Sequence, residues 1–287
     1  MKWVTWDQAA AVAALCAVAI LVLRYRRPTR LGEALLPAFR ELGLLAVLYS
    51  LWRLARELPL DNDEGAIGRA RDIVDLQNAL HLPSELEFQR WVIGRDWLEW
   101  ASNAYYAVPH VPVTIGFLIW LFARHRDRYA RWRTALVIVT ALSLVIRFQR
   151  VAPPRFLPDL GFIDLARGSA LDVYGPVGTG ISDQFAAMPS IHVAWAGVVS
   201  FGIVAVTTSR RRWLALVHLL LTLWAVTVTG HHWWLDGIVA LALLGVALVA
   251  ESGIRKMSQS LRADTTSTSS LRLAETRQAV EHSRPIV

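Results

Sequence analysis

Cysteine occurs once in this 287-residue chain, at Cys16, which excludes an intrachain disulfide and any cysteine-based metal site. Lysine is almost as scarce. Lys2 and Lys256 are the two there are, so arginine carries nearly all of the positive charge. Charged residues make up 18% of the chain and hydrophobic residues 54%, the latter in repeated runs close to the roughly 20 residues that cross a bilayer. That composition excludes a soluble domain and points to a polytopic membrane protein. No internal repeat is visible, so nothing supports an inverted-repeat transporter. The net charge is +7, but no basic-aromatic groove of the kind that grips single strands is present. The basic residues gather in short loops instead, as the positive-inside bias requires, and no nucleic-acid partner is expected. The thirteen tryptophans fit an interfacial aromatic belt.

The apolar pattern predicts seven spans, over about 8–23, 35–54, 100–122, 134–148, 190–206, 213–229 and 232–250. For the first of these a signal peptide is the competing reading, but the cluster Arg24-Tyr25-Arg26-Arg27 follows the apolar run instead of preceding it. Residues 61–99 are too polar to cross. Within them Ile73, Leu76 and Leu80 share one helical face and Phe88, Trp91 and Val92 another, which predicts two amphipathic helices on the membrane surface or over the bundle. Ser84 is placed to cap the second. The expected organisation is an anchor and basic cytoplasmic loop over 1–31, a transmembrane domain over 32–252, and a disordered cytoplasmic tail over 253–287, rich in Ser, Thr and Arg.

The basic clusters at 24–30, 124–133 and 209–212 and the pair Arg255-Lys256 are all expected to be cytoplasmic. Seven alternating spans satisfy every one of them. The other side then receives residues 61–99, the loop 149–188, His192 and the group His231–Asp236, so all the candidate chemistry meets at the outer face.

Ionisable residues are costly at a membrane and are functional candidates there by default. His232 and Asp236 are four apart, the spacing that stacks two side chains on one helical face. A carboxylate there can accept from one ring nitrogen and leave the other as a lone-pair nucleophile toward phosphorus. The alternative is a purely structural His–Asp hydrogen bond. His192 starts the fifth expected span behind Ser190, whose hydroxyl can cap that helix. The free N–H groups there favour an anion, so His192 can face a phosphate and protonate a leaving alkoxide. Arg147, Arg150 and Arg155 flank Pro153-Pro154, and a guanidinium reads phosphate oxygens bidentately. Arg155 is the leading clamp. His231 is read as a cap, a substrate contact or an interfacial residue. Asn103, Tyr105, Tyr106 and His110 give the third span a polar stripe.

These motifs resemble the phosphatidic acid phosphatase type 2 superfamily, and within it the branch that includes inositolphosphorylceramide synthases. The resemblance lies in Ala152-Pro153-Pro154-Arg155, in Ala186 through His192, and in Gly230-His231-His232 through Asp236, and it spans about residues 32 to 252. It implies an all-α membrane bundle with a six-helix core plus one N-terminal transmembrane helix. It also implies a nucleophile at His232, its partner Asp236 and a proton donor at His192. The implied chemistry is metal-independent cleavage or transfer of a phosphoester group on a lipid, with water or a hydroxyl acceptor and no cofactor. Two positions depart from the usual phosphatase pattern: Phe148 stands where a lysine is usual and Val226 where an arginine is. The synthase-like branch tolerates this. Two rivals remain from the residues alone. In one, His192, His231, His232 and Asp236 ligate a catalytic metal. In the other, a transporter relays protons through the buried His and Asp.

Overall fold

A computed structural model describes residues 4–25, 29–57, 65–167 and 184–282, with backbone alone for 56–57 and 262–282. Residues 26–28 of the first basic cluster, 61–64 of the amphipathic segment, 168–183 of the long outer loop and 283–287 of the tail lie outside the described residues. The described residues form ten α-helices and no strand. These are α1 (Trp6–Tyr25), α2 (Arg30–Glu57), α3 (Ala66–Ala79), α4 (Glu85–Val92), α5 (Asp96–Ala107), α6 (His110–Arg124), α7 (Arg126–Ile146), α8 (Ile191–Val206), α9 (Ala215–Val228) and α10 (Trp234–His282). The protein is an all-α, multi-pass membrane bundle.

Among the described residues, five helical stretches are long and apolar enough to cross a membrane: Trp6–Tyr25, Arg30–Ala55, Arg126–Ile146, Arg210–Val228 and Trp234–Leu261. The third expected span is not one helix. It breaks between Ala107 and His110 with a 48° bend, and counts as a sixth crossing when the halves are taken together. Pro109 explains the break, because it donates no N–H and its ring crowds the preceding turn. The fifth expected span, α8, has 16 residues, about 24 Å of helix, and is shorter than the roughly 30 Å hydrocarbon core of a bilayer. Much of it, from Val193 and Ala194 to Ser200, is buried inside the bundle.

A continuous core joins Phe117 and Leu121 of α6, Trp132, Leu136 and Val139 of α7, Val193, Ala194, Ala196, Val198 and Val199 of α8, Leu219, Ala225 and Val226 of α9, and Ala240 and Leu244 of α10. At Gly202 a Cβ would stand 2.3 Å from the Phe117 ring, so glycine sets how closely α8 approaches α6. The helices α1 and α2 pack on each other, and α2 meets the bundle along α7, where Glu41 takes the Arg133 guanidinium at 2.7 Å.

Two amphipathic elements are present where expected, but their buried faces differ. In α3 the buried residues are Ala66, Ala70, Ile73 and Gln77, while Leu76 and Leu80 are exposed. In α4 they are Glu85, Gln89 and Val92, while Trp91 is exposed. Large apolar groups can point away from the protein where lipid is the neighbour. The Ser84 hydroxyl caps α4, accepting from Leu86 N at 3.3 Å. The last span begins at Trp234, not His232, and does not end at Ala250. Through the residues expected to form the tail, α10 continues as helix to His282. Extending a formed helix costs little, and Arg255, Lys256, Met257 and Leu261 all favour it. Glu251 adds an i,i+4 pair to Arg255 at 3.4 Å.

Candidate active site

Backbone hydrogen bonds tie three distant segments together at one end of the bundle. Val151 N donates to Phe185 O at 2.8 Å and Ala187 N to Val151 O at 3.2 Å, in a single parallel bridge. Arg155 N donates to Gly230 O at 3.0 Å and Ser190 N to Asp236 O at 3.3 Å. The Trp233 indole N–H closes the set on Ala152 O at 2.9 Å. These bonds bring Pro153-Pro154-Arg155, Met188-Pro189-Ser190 and the histidine loop 229–233 into one place. Ala152, Leu157, Phe162, Ala187 and Trp233 pack beneath them, with Ala66, Ala70 and Ile73 of α3.

Gly230 makes the turn into the histidines with φ of 73°, a left-handed value that glycine adopts without a Cβ penalty. A Cβ there would lie 2.9 Å from Ile163 O and 3.0 Å from Gln89 Nε2. Both backbone N–H groups that follow, of His231 and His232, donate back to Val226 O at 3.3 and 3.1 Å.

His232 and Asp236 meet, but not by stacking along a helix. His232 lies two residues before α10. The Asp236 carboxylate, from the first turn, reaches back to the N–H of Trp233 at 2.8 Å, as the acidic member of a capping box does. The same oxygen, Oδ2, stands 3.2 Å from His232 Nδ1, and Ala187 O stands 2.6 Å from that nitrogen. A carbonyl can only accept, so Nδ1 carries the proton and Nε2 the lone pair. His232 is 3% exposed and Asp236 0%. His232 Nε2 is buried and has no hydrogen-bond partner among the described residues.

The ring of His192, on the first turn of α8, lies 5.9 Å from the His232 ring, centroid to centroid. It also packs against Tyr106 at 4.6 Å and against His110 at 4.8 Å. Ser190 is fully buried, and its hydroxyl caps α8 by accepting from Val193 N at 3.4 Å. His231 is not an interfacial residue: it is buried and stacked on Tyr106, rings 4.4 Å apart at 18°. Burial, helped by the Arg155 charge beside it, holds His231 well below the ordinary imidazole range, so the ring is neutral. Tyr106 therefore sits between two of the three clustered histidines. The polar stripe of the third span held it, but periodicity alone did not single it out.

Arg147, Arg150 and Arg155 are all buried. Arg155 is joined to the histidine loop through its backbone, and its Nε lies 3.4 Å from Asp164 Oδ2. Arg150 lies over the Phe185 ring at 5.6 Å, and its carbonyl accepts from Arg69 Nε at 2.5 Å. Arg147 closes the C-terminus of α7. Of the two departing positions, Phe148 is 59% exposed and Val226 1%. Neither places a cation at the site.

The metal-ligand rival required four donors to converge on one ion. Among the described residues no group of three or more His, Cys, Asp or Glu side chains is disposed to hold a metal. His231 faces Tyr106, and His232 Nδ1 faces a carbonyl and a carboxylate.

A family model described as the PAP2 superfamily matches residues 71–250. The chain belongs to the PAP2 superfamily. The match starts in α3, so it is shorter than the span from residue 32 that the motifs suggested and leaves α1 and α2 outside. No curated protein and no solved structure matches the chain. Membership of the PAP2 superfamily, whose members are generally phosphoesterases, suggests phosphatase or phosphotransferase activity on phosphorylated substrates.

Proposed function

We propose that this PAP2 protein is a lipid phosphate phosphatase or phospho-head-group transferase that works at the extracytoplasmic face through a phosphohistidine-type intermediate, without a metal. The observation that carries the reading is His232: Nδ1 is engaged by Ala187 O and Asp236, and Nε2 is left buried without a partner beside His192. In this reading Nε2 attacks phosphorus and the bond to the leaving alkoxide breaks. His192 gives that alkoxide its proton. Asp236 stabilises the positive imidazole that forms. Water or a hydroxyl acceptor then attacks phosphorus and gives its proton to His192, and the N–P bond breaks to restore His232. Arg155 and the amino end of α8 at Ser190 hold the phosphate oxygens, with Arg150 and Arg147 adding positive charge.

The outer-face assignment rests on the arginine clusters at 124–133 and 209–212, which belong at the opposite, cytoplasmic end. The synthase-like branch is favoured by what stands at residues 148 and 226. An exposed phenylalanine and a buried valine leave fewer phosphate clamps than a general phosphatidate phosphatase uses.

The test is product mass spectrometry on the purified protein with polyprenyl, glycerol and inositol lipid phosphates, each with and without hydroxyl acceptors. Inorganic phosphate released in water identifies a phosphatase. A head group appearing on the acceptor identifies a transferase. Every lipid recovered unchanged, from protein that remains folded, contradicts the proposal.

A further inference from the structure

The buried face of α4 is polar, which is unusual for an amphipathic helix laid over a bundle. Glu85 and Gln89 lie one turn apart on it and are 3% and 0% exposed. Gln89 Nε2 donates to Val228 O at 3.1 Å and to Ile163 O at 3.0 Å, and its Oε1 accepts from Ile163 N at 2.9 Å. Glu85 Oε1 accepts from Trp234 N at 2.9 Å and from the Gln77 amide of α3. Val228 is the last residue of α9 and Trp234 the first of α10. Two side chains of one short helix thus grip both ends of the loop that carries His231 and His232. The Trp234 indole N–H reinforces the grip on Pro83 O at 2.9 Å, and its ring packs edge-on against Phe88 at 5.3 Å.

We propose that α4 is the positioning element of the histidine loop, with Glu85 and Gln89 fixing the end of α9 against the start of α10 so that His232 Nε2 is aimed at phosphorus. The inference rests on the reading of His232 as nucleophile. Glu85 acts through the backbone, without touching the reacting atoms. Two carboxylates share the amino end of α10: Asp236 takes the N–H of Trp233, and Glu85 takes that of Trp234. Negative charge is favourable at a helix amino terminus. Burial nevertheless pushes the Glu85 carboxyl above the ordinary carboxylate range, and the Asp236 charge adds to the effect. When Glu85 is removed, the Trp234 N–H loses its acceptor in a part-buried setting, which is unfavourable. Asp236 is the other carboxylate at that helix end. Any movement it makes toward the orphaned N–H takes it away from His232 Nδ1.

The experiment uses the full chain in nanodiscs, with Glu85→Ala, Glu85→Gln and Gln89→Ala beside wild type. Two quantities are read. One is kcat and KM on the lipid phosphate that wild type turns over. The other is the rate at which diethyl pyrocarbonate labels His232, followed by peptide mass spectrometry, which needs no turnover. Glu85→Ala and Gln89→Ala are expected to lower kcat by about 10- to 100-fold with KM changed by less than about threefold, since misplacement of a reacting group by ~1 Å costs on that scale. His232 labelling rises in both. Glu85→Gln keeps an acceptor for Trp234 N and stays near wild type in both readouts. Wild-type kcat and labelling in both alanine variants overturn the proposal, and so does a Glu85→Gln variant as impaired as Glu85→Ala. Should Glu85→Ala fail to fold, Gln89→Ala and Glu85→Gln decide it in the same way. Should wild type turn over no lipid, the functional reading fails, and the labelling rates still decide whether α4 holds the loop.

Discussion

Replacing His232 by alanine is expected to lower turnover by roughly 10⁴-fold or more, because the loss removes a covalent route and not one contact among many. The expectation follows from the tautomer. Ala187 O at 2.6 Å and Asp236 Oδ2 at 3.2 Å both call for a proton on Nδ1, so Nε2 is the basic nitrogen. The neighbouring imidazoles are packed differently: His231 lies flat on Tyr106 and His192 is held between Tyr106 and His110. Asp236→Asn gives a smaller loss, on the order of 10²- to 10⁴-fold, since the asparagine can offer an N–H where Nδ1–H needs an acceptor, and Ala187 O still orients the ring. Initial-rate kinetics on the active lipid check both, with thermal unfolding in detergent to confirm the fold. Turnover within tenfold of wild type in both variants contradicts the assignment.

The second large effect concerns His192. His192→Gln keeps most of the ring's volume against Tyr106 and His110 but cannot deliver a proton at neutral pH. With a lipid alkoxide as leaving group, kcat is expected to fall by about 10²- to 10⁴-fold, the usual worth of general acid catalysis. With p-nitrophenyl phosphate, whose leaving group departs without protonation, the deficit shrinks to less than about tenfold. The two substrates measured side by side separate proton donation from a packing role. An equal loss on both contradicts the general-acid assignment and favours a structural role for the His192 ring.

Much of the site could be read from residue types and spacing, because its chemistry needs rare side chains in rare places. A histidine behind Pro189-Ser190, and His232 followed four residues later by Asp236, stand out in an apolar chain. The helix cap at Ser190 was legible for the same reason. The geometry joining His232 to Asp236 was not. A spacing of four reads as helix, yet the helix starts at Trp234 and the pairing is made by a capping carboxylate. The positions of Glu85, Gln89 and Tyr106 were also hidden. Periodicity assigns the buried face of a helix to its apolar residues, and that rule fails in α4. Its neighbours there are carbonyl and N–H groups at helix ends and at Ile163, which call for polar partners, while lipid can accept Trp91 on the outside. The break at Pro109 was legible as a proline but not as a bend that sets Tyr106 and His110 against His192. The helical extension past Ala250 escaped a reading based on composition, which does not weigh propagation from a helix already formed.

The central claim, that phosphorus passes through His232 Nε2, is tested most directly by rapid acid-free quench of a single turnover, followed by mass spectrometry of the peptide containing His231 and His232. The account predicts a transient phosphoryl adduct on His232, with or without the esterified head group, that forms before product, decays as product appears, and is absent from His232→Ala. Product formed at the wild-type rate with no adduct at any time, or with the adduct on another residue, would contradict it.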